Sequence, residues 1–208
     1  MKNLLRILFF LVIVRPLILF VMGVNVFGRE NLPLNKQFIL VSNHNSHLDA
    51  LALMNLFPLK QLKHVHPVAA SDYFMKNPFI SWFSTTFLNI VPIPRSGFTK
   101  TNNPLTCMGE ILSKGDSLII FPEGTRGKPE IMASFKSGIA HLIGKYPSVP
   151  VLPIFMKGMG KSLPRGEMIL VPFYCDVIIG QPQYFFGTKE EIVKQVEEAV
   201  INLRKKFD

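Results

Sequence analysis

Phe38-Ile39-Leu40-Val41-Ser42-Asn43-His44-Asn45-Ser46-His47-Leu48-Asp49-Ala50-Leu51-Ala52-Leu53 is the stretch from which the rest of this 208-residue chain can be read. Phe38–Ser42 is a short apolar run and reads as a buried strand, while Leu48–Phe57 reads as a helix. The polar link between them puts His44 at the carboxyl end of a strand, where open α/β sheets build their sites. Ser46-x-x-Asp49 before an apolar run also resembles a capping box, with Asp in place of the usual Glu or Gln. The capping and chemical uses of Asp49 are compatible. From the first helical turn its carboxylate can fold back onto His44, holding the tautomer that leaves the other ring nitrogen as a base.

Working outward, apolar runs alternate with helical stretches. Strands are expected at Val65–Ala70, Ile90–Ile93, Ser117–Phe121, Val149–Met156 and Met168–Ile179. Helices are expected over Tyr73–Leu88, Pro104–Lys114, Ala133–Lys145 and Lys189–Lys206. This alternation argues for an α/β fold with a single mixed sheet flanked by helices. With no repeat and no long linker, the division is residues 1–27 as a membrane-associating helical segment and 28–208 as one α/β domain.

Phe121-Pro122-Glu123-Gly124-Thr125-Arg126 closes the strand at Ser117–Phe121. Pro122 ends the ladder because it has no N–H, and Gly124 permits a tight turn. Glu123, Thr125 and Arg126 then project from the sheet edge that carries His44. Val91-Pro92-Ile93-Pro94-Arg95 delivers another arginine from a strand end, and Phe135-Lys136-Ser137-Gly138 sets a lysine before a helix. Arg95, Arg126 and Lys136 can converge on a phosphate, with the arginine forks doing most of the binding. A base beside a cationic grip suits transfer of a group onto a hydroxyl.

Lys and Arg total 23 against 14 Asp and Glu, a net charge of +9, while 48% of residues are hydrophobic. A basic, greasy chain suits an anionic membrane surface better than nucleic acid, and no nucleic-acid-binding signature is present. Cys107 and Cys175 form no metal spacing or disulfide framework, so a reducing compartment is expected. Leu4–Val24 is apolar apart from Arg6 and Arg15-Pro16. A mid-span charge costs about 2.5–3.5 kcal/mol, and Pro16 is expected to break the helix. Two short helices lying in the cytoplasmic leaflet follow, with Lys2, Arg6 and Arg15 at headgroup level; a tilted single span and a cleaved signal peptide are the alternatives. The sheet is expected to fold without them.

These residues are similar to those of the glycerophosphate/lysophospholipid acyltransferase family, of the 1-acylglycerol-3-phosphate acyltransferase type. Its N-H-x-S-x-x-D block matches Asn43 to Asp49, its strand ending in arginine matches Ile90 to Arg95, and F-P-E-G-T-R matches Phe121 to Arg126. A proline-bracketed strand matches Val149 to Ile154, and the resemblance runs from about Val26 to Gln183. It implies a catalytic dyad of His44 and Asp49. It implies that Arg95, Glu123, Gly124, Thr125 and Arg126 bind a phosphorylated lysophospholipid acceptor. The donor is then acyl-CoA or acyl carrier protein, with no cofactor and no metal, at the cytoplasmic face of the inner or plasma membrane.

Three positions depart from the family pattern. Asn89 stands where glycine is usual, though Asn tolerates positive φ. Pro94 precedes Arg95, and His47 fills a position often aromatic or apolar. Readings of other classes use the same residues. His44-x-x-His47-x-Asp49 is a candidate metal cluster for a lipid hydrolase, and the basic face alone would serve a non-catalytic module binding anionic lipid. Another polar lysolipid remains an alternative acceptor. His64 and His66 are expected to be solvated or hydrogen-bonded. Phe74, Phe79, Trp82, Phe83 and Phe87 are candidates either for an acyl tunnel or for ordinary packing.

Overall fold

Seven strands are found among the described residues: β1 (Val24–Phe27), β2 (Ile39–Ser42), β3 (Val65–Ala70), β4 (Val91–Ile93), β5 (Ser117–Ile120), β6 (Val151–Lys157) and β7 (Cys175–Ile179). They form one mixed sheet in the order β1-β7-β6-β2-β5-β3-β4. The structure is a computed structural model describing residues 1–74, 77–94, 97, 99, 103–127, 131–162 and 174–205. All strand pairs are parallel except β6 with β7. β2 lies between β6 and β5, so the segments leaving β2 and β5 emerge side by side at one edge. That adjacency brings together two motifs separated by about 75 residues.

The helices are α1 (Lys2–Val21), α2 (Asp49–Asn55), α3 (Ser71–Phe74), α4 (Pro78–Phe87), α5 (Pro104–Ser113), α6 (Gly138–Lys145), α7 (Met159–Ser162) and α8 (Lys189–Arg204). Period-two alternation splits the strands between two cores. Leu40, Ile119, Leu152, Ile154 and Val177 face the layer of α1 and α2. Ile39, Val41, Leu118, Val151 and Ile178 face α5, α6 and α8. α8 meets the second core through Ile192, Val196, Val200 and Leu203, the stripe expected of an amphipathic helix.

The N-terminus departs from expectation. Rather than two helices broken at Pro16, α1 runs continuously and is long and apolar enough to cross a bilayer. Its backbone relaxes into π-helical turns at Phe10–Val14 and Leu17–Val21, where Arg15 and Met22 donate to the carbonyls of Phe10 and Leu17. Such wide turns relieve the clash a proline ring makes with the preceding carbonyls. They also explain a stripe spaced every fourth residue, wider than the α-helical 3.6. Arg6, Phe10, Val14, Ile18 and Met22 are all buried along it.

Arg6 is buried against the protein. Its guanidinium turns inward and donates to the carbonyls of Thr86 and Phe87 at the end of α4, and to Asn89 Oδ1 at 2.9 Å. Asn89 has φ +56°, as its substitution for glycine requires, and its amide supplies a bridge that glycine lacks. Phe9 adds ring contacts to Phe83 and Phe87 at 5.4 and 5.0 Å. Phe10, Val14 and Ile18 belong to the same core as α2. β1, unforeseen in the sequence, adds a parallel pairing with β7 immediately after α1.

Candidate active site

His44 leaves β2 on a loop that three parts of the chain hold in place. Asn43, buried just before it, continues the β2–β6 ladder with its side chain. Its Oδ1 accepts from Met156 N and its Nδ2 donates to Met156 O, both at 2.8 Å. The backbone N–H of His44 donates to Glu123 Oε1 at 2.8 Å, and its carbonyl accepts from Gly127 N at 2.9 Å. The imidazole stacks on Phe121, with ring centroids 4.1 Å apart and planes 18° from parallel.

Asp49 is fully buried in the first turn of α2. Its Oδ2 accepts from His44 Nδ1 at 2.9 Å, from Asn45 N at 2.7 Å and from Ser46 N at 2.8 Å. The bond from Ser46 is half of a capping box. The other half is missing, because Ser46 Oγ accepts from Leu48 N instead. Two backbone donors thus fix a carboxylate oxygen against Nδ1, so that Nδ1 carries the proton and Nε2 has the basic lone pair. Among the described residues Nε2 has no hydrogen-bond partner, and the side chain keeps 21% exposure.

Glu123 corrects a reading of the sequence. Rather than facing a ligand, its carboxylate is buried, with one oxygen on His44 N and the other accepting from Ala133 N at 2.9 Å. Burial pushes its pKa above the usual carboxylate range, against the pull of these two N–H groups and of His44. Glu123 braces the edge by tying the β2 loop to the chain before α6. The same tie explains why α6 starts at Gly138 rather than Ala133. The N–H groups of Ala133, Phe135 and Lys136 bond to Glu123, Glu197 and Pro122, which holds this segment out of helix.

Gly124 turns with φ +74°, and Lys136 arches over it so closely that a Cβ there would come within 2.8 Å of Nζ. Thr125 is exposed beside them, and Arg126 reaches back across 79 residues to His47 Nε2. Gly124, Thr125, Arg126 and Lys136 thus share one edge with His44. Arg95 lies outside the described residues. Its strand β4 is parallel to β3 and ends toward this edge.

Asp49 Oδ2 already receives three donors, His47 is turned to Arg126, and no cluster of three metal-type ligands exists among the described residues. His64 and His66 are hydrogen-bonded, as expected, both to Asp116 at 2.7 and 3.0 Å. Phe83 and Phe87 pack on Phe9 of α1, while Phe79 and Trp82 face outward at 67% and 50% exposure. The side chain of Phe74 is not among those described. Sequence reasoning did not find the Asn43 and Phe121 supports. Both residues sit inside the quoted motifs, which was the available signal.

Comparison with known proteins places this geometry. The model of the Acyltransferase family matches residues 23–157. A chloroplastic 1-acyl-sn-glycerol-3-phosphate acyltransferase of Arabidopsis thaliana is 35% identical over 172 residues, 82% of this chain and 46% of that protein. The 1-acyl-sn-glycerol-3-phosphate acyltransferase of Saccharomyces cerevisiae is 35% identical over 147 residues, 63% of this chain and 43% of that protein. The crystal structure of the 1-acyl-sn-glycerophosphate acyltransferase of Thermotoga maritima superposes with a TM-score of 0.72 at 28% identity, covering 88% of this chain and 71% of that one. This chain spans about half the length of the curated relatives it matches.

Proposed function

This chain belongs to the acyltransferase family, and from that premise we propose that it moves a fatty acyl group from an acyl thioester to the hydroxyl of a lysophospholipid. The acceptor is 1-acylglycerol-3-phosphate and the product phosphatidate, the reaction type named for the relatives from Arabidopsis and yeast. The observation that carries the reading is the 2.9 Å contact of His44 Nδ1 with a carboxylate oxygen already held by two backbone N–H groups.

In this mechanism His44 Nε2 removes the acceptor's hydroxyl proton as the oxygen attacks the thioester carbonyl. Asp49 stabilises the imidazolium that forms. Collapse of the tetrahedral intermediate breaks the carbon–sulfur bond, and the imidazolium returns its proton to the departing thiolate. Every proton is accounted for without an acyl-enzyme, metal or cofactor. Arg126, Lys136 and Arg95 bind the acceptor phosphate, while Glu123 and Gly124 shape the edge that presents them. The donor is acyl-CoA or acyl carrier protein, both of which present a thioester to the same base.

The enzyme works at a membrane surface on the cytoplasmic face, where its donors are found. α1 lies against the protein by its buried stripe and presents Leu8, Leu11, Val12, Leu19 and Phe20 outward to lipid. The test is incubation of purified protein with labelled acyl-CoA or acyl carrier protein and a panel of lysolipids, with products identified by mass. Acylated acceptor that disappears in His44→Ala is the expected result. Release of free fatty acid without transfer, or transfer that survives His44→Ala, would overturn the reading.

A further inference from the structure

α4 packs on α1 with its second half. The rings of Phe83 and Phe87 meet Phe9, and the carbonyls of Thr86 and Phe87 accept from Arg6. Its first turns carry Phe79, Ile80 and Trp82, and all three side chains are exposed. Apolar residues grouped this closely on the outside of a fold mark a surface that something covers. The patch is continuous with α1. Phe79 meets Trp82, Trp82 meets Phe87 and Phe87 meets Phe9, with ring centroids 5.9, 5.6 and 5.0 Å apart. Beyond Phe9 the outer face of α1 exposes Val12, Leu19 and Phe20.

Topology sets both apolar faces beside the catalytic edge. β3 and β5 are parallel to β2, so α3, which directly follows β3, starts at the edge that carries His44. β4 is parallel to β3, so α4 must run back to the opposite edge, and its first turns are the ones near His44. On the other side of the sheet, α1 ends just before β1. The start of β1 lies by Cys175 and Asp176, and Asp176 lies by Lys157, next to the Met156 that pairs with Asn43. Leu19 and Phe20 of α1 therefore flank the edge from the β1 side, and Phe79 and Trp82 of α4 flank it from the β3–β4 side.

Charge selects the occupant. Lys2 and Arg15 of α1 are joined by Lys60 and Lys63 from the turns Leu59–His64, which pack on α1, and none of these elements or α4 holds an Asp or Glu. A second copy of this chain set against the patch about a two-fold axis would bring the same cations together. An anionic phospholipid surface is attracted by them instead. The ten residues of α4 span about 15 Å, too short to cross a bilayer, and an aromatic pair with Trp suits the interface.

We propose that the first two turns of α4 are a second membrane contact, with Phe79, Ile80 and Trp82 seated at the interface of an anionic bilayer. With α1 on the other flank, this contact holds the His44 edge at the surface from which an amphiphilic acceptor arrives. The inference rests on the reading of the outer face of α1 as lipid-facing.

Trp82 is the one tryptophan of the chain, so its fluorescence in the full-length protein reports on this patch alone. The protein is reconstituted with vesicles of phosphatidylglycerol and phosphatidylcholine, with or without bromine on the acyl chains. Trp82 should be quenched by the brominated lipid and shielded from aqueous iodide. Phe79→Ser should weaken vesicle binding about tenfold, roughly the worth of one aromatic side chain leaving an apolar setting. It should raise KM for a bilayer-embedded acceptor, while kcat/KM for a short-chain, freely soluble acceptor stays within about twofold. A protein that sediments with vesicles while Trp82 stays open to iodide and untouched by bromine would overturn the inference and spare the reading of α1. Shielding from iodide without bromine quenching, growing with the protein-to-lipid ratio, would assign the patch to a second copy and overturn it too. Equal losses on both acceptors in Phe79→Ser would place Phe79 in the path of the acyl chain instead. A protein that does not sediment with vesicles at all would remove the membrane reading, and the inference with it.

Discussion

Asp49→Asn is the sharpest test of the dyad, because the structure states what the amide must do. Three donors converge on Oδ2, while Oδ1 is buried without a partner among the described residues. The amide oxygen must take the Oδ2 place, since NH2 there would face three N–H groups. The amide nitrogen then occupies the Oδ1 place, which is buried and forms no hydrogen bond among the described residues. A buried donor left unsatisfied costs about 1–3 kcal/mol, and the bonds to oxygen drop from charge-assisted to neutral strength. A stability loss of about 2–4 kcal/mol follows, which lowers the Tm by roughly 5–15 °C for a chain of this size. In the reaction, the imidazolium loses its counter-charge. At about 2–3 kcal/mol of transition-state stabilisation, kcat falls about 30–150-fold with both KM values nearly unchanged. Stopped-time assays with 1-acylglycerol-3-phosphate and acyl-CoA, run well below the lowered Tm, separate the two effects. A folded Asp49→Asn with kcat within about threefold of wild type would show that Asp49 only caps α2, and the proposed dyad would be wrong.

The remaining expectations follow from single observations. His44→Ala should lower kcat about 10²–10⁴-fold, the usual worth of a positioned base, with an unchanged far-UV spectrum showing that the fold survives. Phe10→Ala should cost about 3–5 kcal/mol in urea unfolding, because Phe10 is fully buried on the inner face of α1. Phe20→Ser, at a side chain 85% exposed, should leave stability within about 0.5 kcal/mol but reduce co-sedimentation with anionic vesicles. Equal effects from these two changes would mean the assignment of the inner and outer faces of α1 is wrong. Burial, aided by Arg6, holds the His66 pKa below its ordinary 6.5, outweighing Asp116 and Asn89. Between the lowered value and 6.5 the unfolded chain binds a proton that the folded chain does not, so stability falls as pH drops through that window. His66→Gln should flatten that slope below the ordinary histidine pKa of 6.5, and a steeper slope would refute this account.

Local order was largely legible. Apolar runs of four to seven residues marked β2, β3, β5 and β6 within a residue or two, and the 3.6 periodicity marked α8. The His44–Asp49 contact was also readable, because five residues of loop and first helical turn suffice to bring the carboxylate to the ring. Pro16 misled because its usual helix-breaking effect assumes α-helical hydrogen bonding, which the π-helical turns of α1 avoid. Val24–Phe27 was hidden because a four-residue edge strand directly after an apolar helix gives too short an alternation to stand out.

Sequence alone determined the strand-and-helix alternation, the placing of both motifs at strand ends, and the residue types offered to chemistry there. It did so because these properties depend on neighbours within a few positions. Only the tertiary structure decided that β2 and β5 lie side by side, and hence that Glu123 braces His44 instead of facing a ligand. It likewise decided that Arg6 turns inward to α4, that Asn43 pairs with Met156, and that His47 meets Arg126. Those contacts span 79 to 113 residues. Strand order is chosen by the burial of two whole faces at once, and no local run of sequence carries that information.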